Sequence, residues 1–221
     1  MDPKRKKEIK ERLLGSKFRL ISERLYLAES KNAGDVFPDE ECFREYHRGY
    51  QKQKEQWNVD PLKTITKELK KKDDAEMTVA DIGCGEGKLA HLLRKKAKVN
   101  SFDLVSTAPH ITVANMNNLP LPKKSVSAAV FCLSLMNKDY GAALDEARRV
   151  LKKRGALLVT EIESRLPQDK GSFIDEVESH GFALVKERNI DELFCYFEFA
   201  RSKKPLVKKK ETLKPCRYKK R

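Results

Sequence analysis

ADIGCGEGKLA, residues 80–90, puts three glycines at alternate positions between two patterned segments. Before it, MTVADI (77–82) is a short apolar run that reads as a buried strand. After it, KLAHLLRKKA (88–97) has the spacing of a helix. Glycines at 83, 85 and 87 let the chain turn sharply and let a ligand approach the backbone. A helix starting near Lys88 aims its amide dipole at that ligand. The stretch therefore predicts a strand–turn–helix unit with an anionic or nucleotide-like ligand at the turn.

The same alternation continues outward. VNSFDL (99–104), ITVANM (111–116), VSAAVFCLSL (126–135) and ALLVTEI (156–162) read as strands. Helices are predicted over GAALDEARRVLKK (141–153), closed by Gly155, and over FIDEVESHG (173–181). FALVKERN and LFCYFEFAR follow as two strands with a short connection, an antiparallel hairpin at one edge. Their stripe Phe194, Tyr196, Phe197 and Phe199 reads as edge-strand core. Alternating strands and helices predict an α/β fold, a mostly parallel sheet with helices on both faces. Upstream, residues 5–30 form an amphipathic pattern weakened at Gly15 and Ser16. AGDVFPD (33–39) reads as a loop, and residues 39–56 as a second helix. A third helix starts at Asp60-Pro61, and 70–76 is a charged turn. The expected organisation is a helical segment (1–60), a Rossmann-like core (61–200) and a basic tail (201–221).

The chain has 221 residues and a formal net charge of +14. Residues 1–19 and 201–221 together carry +15, so the middle is nearly neutral. Basic tails on a neutral domain suit a polyanion, because each phosphate neutralised releases a counterion. Arg19, Arg24, Arg48, Lys209, Lys219 and Arg221 are candidate phosphate contacts, and KRKK (4–7) and KKK (208–210) are candidate nuclear-localisation runs. The five cysteines, 42, 84, 132, 195 and 216, form no CxxC pair. A disulfide framework and a metal site are not expected, which fits a reducing compartment. No apolar run reaches membrane length and the N-terminus has no leader-like core, so a soluble intracellular protein is expected.

Asp103 ends the second strand, eighteen residues past Gly85, where an acid accepts hydrogen bonds from ribose hydroxyls. NAD and S-adenosylmethionine both satisfy that geometry. Three features favour the second. The spacing is GxGxG, so the third glycine is not placed for a pyrophosphate. Asp81 would repel a pyrophosphate but can face an ammonium group. The chain also ends in a strand pair, without further βαβ units. Over 77–200 it resembles class I S-adenosylmethionine-dependent methyltransferases.

A closer resemblance rests on KFRLISERLY (17–26), EYHRGYQKQKEQW (45–57), ADIGCGEGKLA, FDL (102–104), AVFCLSLM (129–136), EARRVLKKRG (146–155) and LKPCRYKKR (213–221). Together these resemble the ribosomal RNA-processing protein 8 family, nucleolar methyltransferases that methylate N1 of an adenine in large-subunit ribosomal RNA. The resemblance runs from about residue 15 to the C-terminus. It implies S-adenosyl-L-methionine as cofactor, large-subunit rRNA as partner with the basic tails on its phosphates, nucleolar protein partners, and a place in the nucleus and nucleolus.

It also implies cofactor contacts at His47, Gly83, Asp103, Asn115, Met116 and Cys132. The family usually has Asp where this chain has Asn115. Either offers an oxygen to the adenine amine, and the lost charge predicts weaker binding. Many members have Asn at the position of Ser22. Taken alone, His47 reads as a helix histidine beside Tyr46 and Tyr50, and Cys132 as strand core. CLSLM (132–136) is expected to floor the target-base pocket with backbone carbonyls and Ser134. A protein methyltransferase and a cofactor-binding scaffold remain compatible with the sequence.

Overall fold

The computed structural model describes residues 2–202 and 209–216. Among the described residues there are seven strands: β1 (Thr78–Ile82), β2 (Lys98–Asp103), β3 (Ile111–Val113), β4 (Val126–Cys132), β5 (Leu151–Ile162), β6 (Phe182–Asn189) and β7 (Phe194–Arg201). They form one sheet in the order β3-β2-β1-β4-β5-β7-β6. The first five are parallel, and β7 runs antiparallel to both β5 and β6. The hairpin is therefore present, but its second strand inserts next to β5 and only β6 is the edge. Phe194, Tyr196, Phe197 and Phe199 accordingly sit on an interior strand, each almost fully buried, rather than on an edge.

Helices α3 (Pro61–Lys70) and α4 (Lys88–Leu93) cover one face, where Ile65, Leu69, Leu89 and Leu93 pack on Val79, Val130 and Leu158. Helices α5 (Gly141–Val150) and α6 (Lys170–Ser179) cover the other with Leu144, Ala147, Phe173 and Val177. Caps explain several helix starts. Asp60 accepts from the Leu62 N–H at 3.0 Å, with Pro61 in the first turn. Asp169 accepts from the Gly171 N–H at 2.9 Å, which starts α6 three residues before the sequence-based boundary.

One boundary is corrected. Gly155 does not close α5. The helix stops at Val150 and the chain goes straight into β5, with Leu151 fully buried opposite Val126. The KKR run has helical propensity, but burial of Leu151 and ladder pairing outweigh it.

Two further helices, α1 (Pro3–Leu27) and α2 (Glu40–Lys54), lie over the carboxyl ends of the strands. Gly15 and Ser16 do not break α1. Residues expected as a loop after it form a 3-10 turn, Ser30–Val36. α1 and α2 meet through Phe18, Ile21, Leu25 and Tyr46. Gly49 permits the close approach, since a Cβ there would lie 2.5 Å from that of Phe18. Ser30 then ties this segment to the core. Its N–H and hydroxyl donate to Asp139 at 2.7 Å each, and Asn115 donates to its carbonyl at 2.8 Å.

Of the expected basic tail, 201–221, residues 201–202 and 209–216 are described: Arg201 ends β7, and residues 209–216 are a docked strap. The Thr212 N–H and hydroxyl both donate to Glu176 at 2.8 Å, and the Lys214 N–H donates to the Arg165 carbonyl at 2.8 Å. Lys209 pairs with Asp175 at 2.6 Å. Lys219 and Arg221 lie outside the described residues, as does Lys208 of the KKK run. Among the described residues no helix is long and apolar enough to cross a membrane.

Candidate functional site

The sheet order reverses between β1 and β4, and a crevice opens there at the carboxyl ends of the strands. It holds a cavity of about 140 Å³. Asp81, Gly83 and Gly85 line it from β1 and its turn, Asp103 from β2, Met116 from beyond β3, and Cys132, Leu133 and Ser134 from β4. Tyr46, His47, Tyr50 and Gln51 of α2 close the top. Gln51 donates to Glu86 at 3.0 Å and accepts from Lys88 at 3.2 Å, which ties α2 to the glycine turn.

The acid at the end of β2 shapes the turn. Asp103 accepts the Gly85 N–H on one oxygen and the Leu104 N–H on the other, both at 2.7 Å. Each oxygen keeps acceptor capacity for a diol. Burial pushes its carboxyl up to about 6, against those two hydrogen bonds. Asp81 is more affected. Burial, reinforced by the charge of Asp103, raises it to about 7. Two acids, Asp81 buried and Asp103 half-buried, with no cation paired to either among the described residues are suited to hydroxyls and an ammonium group, and unsuited to a pyrophosphate.

His47 packs on Phe43 with ring centroids 4.3 Å apart and the rings tilted by 55°, and a Cβ at Gly85 would stand 3.3 Å from its ring. Burial lowers its pKa to about 4, so it is neutral at pH 7. Its buried Nδ1 has no hydrogen-bond partner among the described residues. A buried polar atom without a partner at the wall of a cavity fits a polar ligand. Cys132 receives a hydrogen bond from Thr160 at 3.4 Å, and burial pushes its thiol up to about 12. It is a protonated wall, not a nucleophile.

Five of the six residues named from the sequence thus line one crevice. Asn115 does not. Its amide is spent on the Ser30 carbonyl, and its oxygen accepts from the Asn117 N–H at 2.9 Å. Ser22 is fully buried with its Oγ unpartnered among the described residues, and nothing in the structure explains a serine there. In the 132–136 loop, Ser134 donates to the Ile82 carbonyl at 2.6 Å. Leu135 is fully buried, and its carbonyl accepts from Arg165 at 2.7 Å.

Two features had no sequence signal. Leu133 has φ 58°, a left-handed conformation that non-glycine residues adopt at a cost and that clusters at functional sites. Arg165, 2 % exposed, joins four segments. It donates to Glu161 and Leu135 at 2.7 Å and to the Lys214 carbonyl at 2.9 Å, and its guanidinium sits 4.5 Å over the Tyr26 ring.

Comparison with known proteins gives this geometry a context. Residues 4–221 match the family described as hypothetical methyltransferase. Ribosomal RNA-processing protein 8 of Dictyostelium discoideum is 40% identical over 97% of this chain and 59% of its own length. In Schizosaccharomyces pombe, a protein named 25S rRNA (adenine(645)-N(1))-methyltransferase is 37% identical over 97% of this chain and 71% of its own. The chain belongs to the ribosomal RNA-processing protein 8 family. It spans little more than half the length of the Dictyostelium relative. Among solved structures, a Burkholderia thailandensis 1,6-didemethyltoxoflavin-N1-methyltransferase superposes with a TM-score of 0.63 at 15% identity, covering 80% of this chain and 92% of that one. The fold is that of class I methyltransferases, with β7 inserted between β5 and β6.

Proposed function

We propose that this chain is an S-adenosylmethionine-dependent methyltransferase that methylates N1 of an adenine in large-subunit ribosomal RNA during ribosome biogenesis, in the nucleolus. What carries the reading is a crevice lined by the carboxyls of Asp81 and Asp103 and by a histidine nitrogen unpartnered among the described residues, in a chain whose relatives include a named rRNA adenine-N1 methyltransferase.

When bound, S-adenosylmethionine supplies a methyl group on a sulfonium, electrophilic enough for a ring nitrogen lone pair to attack. The residues of the chain bind, orient and exclude water. Asp103, preorganised by Gly85 and Leu104, would accept from the ribose diol. Asp81 would face the ammonium group. His47, neutral and capped by Phe43, would cover the ligand and offer Nδ1. Gly83 allows close backbone approach, and Met116 and Cys132 would flank the adenine ring. Asn115 would contribute by holding the Ser30 segment beside Met116. No covalent enzyme intermediate is required, in keeping with a protonated Cys132. Because N1 lies on the Watson–Crick edge, a paired target base must leave its partner and enter the crevice beside Leu133 and Ser134.

The test is methyl transfer. The protein is incubated with labelled S-adenosylmethionine and unmodified large-subunit rRNA, and reverse-transcriptase stops are mapped. One adenine stop, lost in Asp103→Ala, is expected. Label without a stop would place the methyl off the Watson–Crick edge and sink the N1 assignment. Cofactor binding without label on RNA would sink the enzymatic reading.

A further inference from the structure

The parallel strands β4 and β5 begin side by side at the end of the sheet opposite the crevice, and the segments leading into them carry a cationic patch. Lys123 and Lys124 precede β4. Lys152, Lys153 and Arg154 lie at the start of β5. All five are exposed, and among the described residues none forms an ion pair. Only Lys152 is engaged at its head group, donating to Ser127 at 3.3 Å.

Two backbone features hold the patch out. The register jumps from Val126↔Leu151 to Ala128↔Ala156, so residues 152–155 stand opposite Ser127 alone and bulge from the ladder. Lys124 has φ 58° and is fixed there by its N–H on the Arg149 carbonyl at 2.9 Å. Among the described non-glycine residues only Lys124 and Leu133 have positive φ. One lines the crevice, and the other carries a charge on this patch. Of the acids on the same edge, Asp73 and Asp74 line one shallow cavity with Lys152 and Arg154 without an ion pair to either among the described residues, and Glu76 follows on the segment leading into β1; five cations against three acids leave the edge net positive.

We propose that this patch is a second RNA contact, gripping the phosphate backbone of a duplex segment remote from the target adenine. It rests on the reading of RNA as substrate and adds where a folded RNA is held. The five side chains include no aromatic or apolar group, so the surface has no ring to stack on a base and nothing to fill an apolar pocket. Lysine is depleted at the centres of protein–protein interfaces, whereas phosphate contacts are its ordinary use. β4, Val126–Cys132, spans about 20 Å between patch and crevice at roughly 3.3 Å per residue. A short oligonucleotide with its adenine in the crevice does not reach the patch, but a folded rRNA segment does.

The test compares the native chain with a variant carrying Lys123→Gln, Lys124→Asn, Lys153→Gln and Arg154→Gln. Asn tolerates the left-handed conformation at 124, and Lys152 is kept for its Ser127 bond. Equilibrium binding is measured against salt on a folded large-subunit rRNA fragment and on a short single-stranded oligonucleotide, with melting temperature as the check on folding. On the folded fragment the slope of log K against log salt is expected to fall by about 3 to 4, from roughly 0.9 per duplex phosphate released. On the oligonucleotide it stays unchanged. An unchanged slope on the fragment, or an equal fall on both RNAs, would overturn the patch. Binding is read without turnover, so absent methyl transfer leaves this test intact. A native chain that binds S-adenosylmethionine but no RNA refutes the RNA reading itself, and the patch with it.

Discussion

Replacing Arg165 with Met removes the charge that faces Glu161 in the interior. Glu161 is fully buried, and burial pushes its carboxyl up while Arg165 at 2.7 Å draws it part of the way back. Without the guanidinium an uncompensated buried carboxylate remains, a change that costs about 3–5 kcal/mol. The Leu135 and Lys214 carbonyls lose their donors as well. For a domain of this size a loss of that order lowers the melting temperature by roughly 6–20 °C, at about 2–4 °C per kcal/mol. Thermal and urea denaturation of Arg165→Met, Glu161→Gln and the double variant measure it. The double variant is expected to recover part of the loss, because no buried charge is left, and the unpartnered carbonyls keep the recovery incomplete. Arg165→Lys should fall between, since one ammonium restores the charge but not the three-way fork. A single variant melting within about 2 °C of the native chain, or a double variant no better than the single, would refute the buried pair as the joint between the 132–136 loop, the strap and α1.

Gly83→Ala is expected to lower stability by about 2–4 kcal/mol and weaken cofactor binding, because its Cβ would meet that of Ser134 at 2.5 Å on a backbone at φ 73°. A urea midpoint equal to the native one would show that the turn and the loop relax freely. Asp103→Ala removes the acceptor for Gly85, Leu104 and the diol, so S-adenosylmethionine binding by calorimetry should weaken roughly 100-fold or more while RNA affinity holds. Asp81, raised to about 7 from an ordinary 3.8, binds its proton more tightly folded than unfolded. Stability therefore falls as pH rises between those values, by at most on the order of 4 kcal/mol, and levels off above. Asp81→Asn should flatten that decline between pH 5 and pH 8, and a parallel decline in both proteins would clear Asp81 of the effect.

The sequence revealed what repeats with a period and what sits in a motif. The alternating runs located the seven strands of the described residues, and ADIGCGEGKLA located the turn, because glycine spacing and hydrophobic periodicity are local signals. It misplaced the α5–β5 joint, where LKKRG has helical composition and only the ladder partner Val126 makes it a strand. It put the Phe194–Phe199 stripe at the edge, because strand order is a long-range property that no local pattern encodes.

The crevice divides in the same way. Gly83 and Asp103 were visible from spacing. His47 was visible only through resemblance, because what supports it as a proposed ligand contact is burial against Phe43 and a nitrogen left without a partner among the described residues. Arg165 left no trace: an arginine three residues past a strand reads as surface. Its role exists only because Leu135, Lys214 and Tyr26, distant in sequence, converge on one buried guanidinium. That convergence makes the geometry of the crevice depend on both ends of the chain. A truncation that removes the strap, residues 209–216, is therefore expected to disturb the 132–136 loop without touching any residue that lines the cavity.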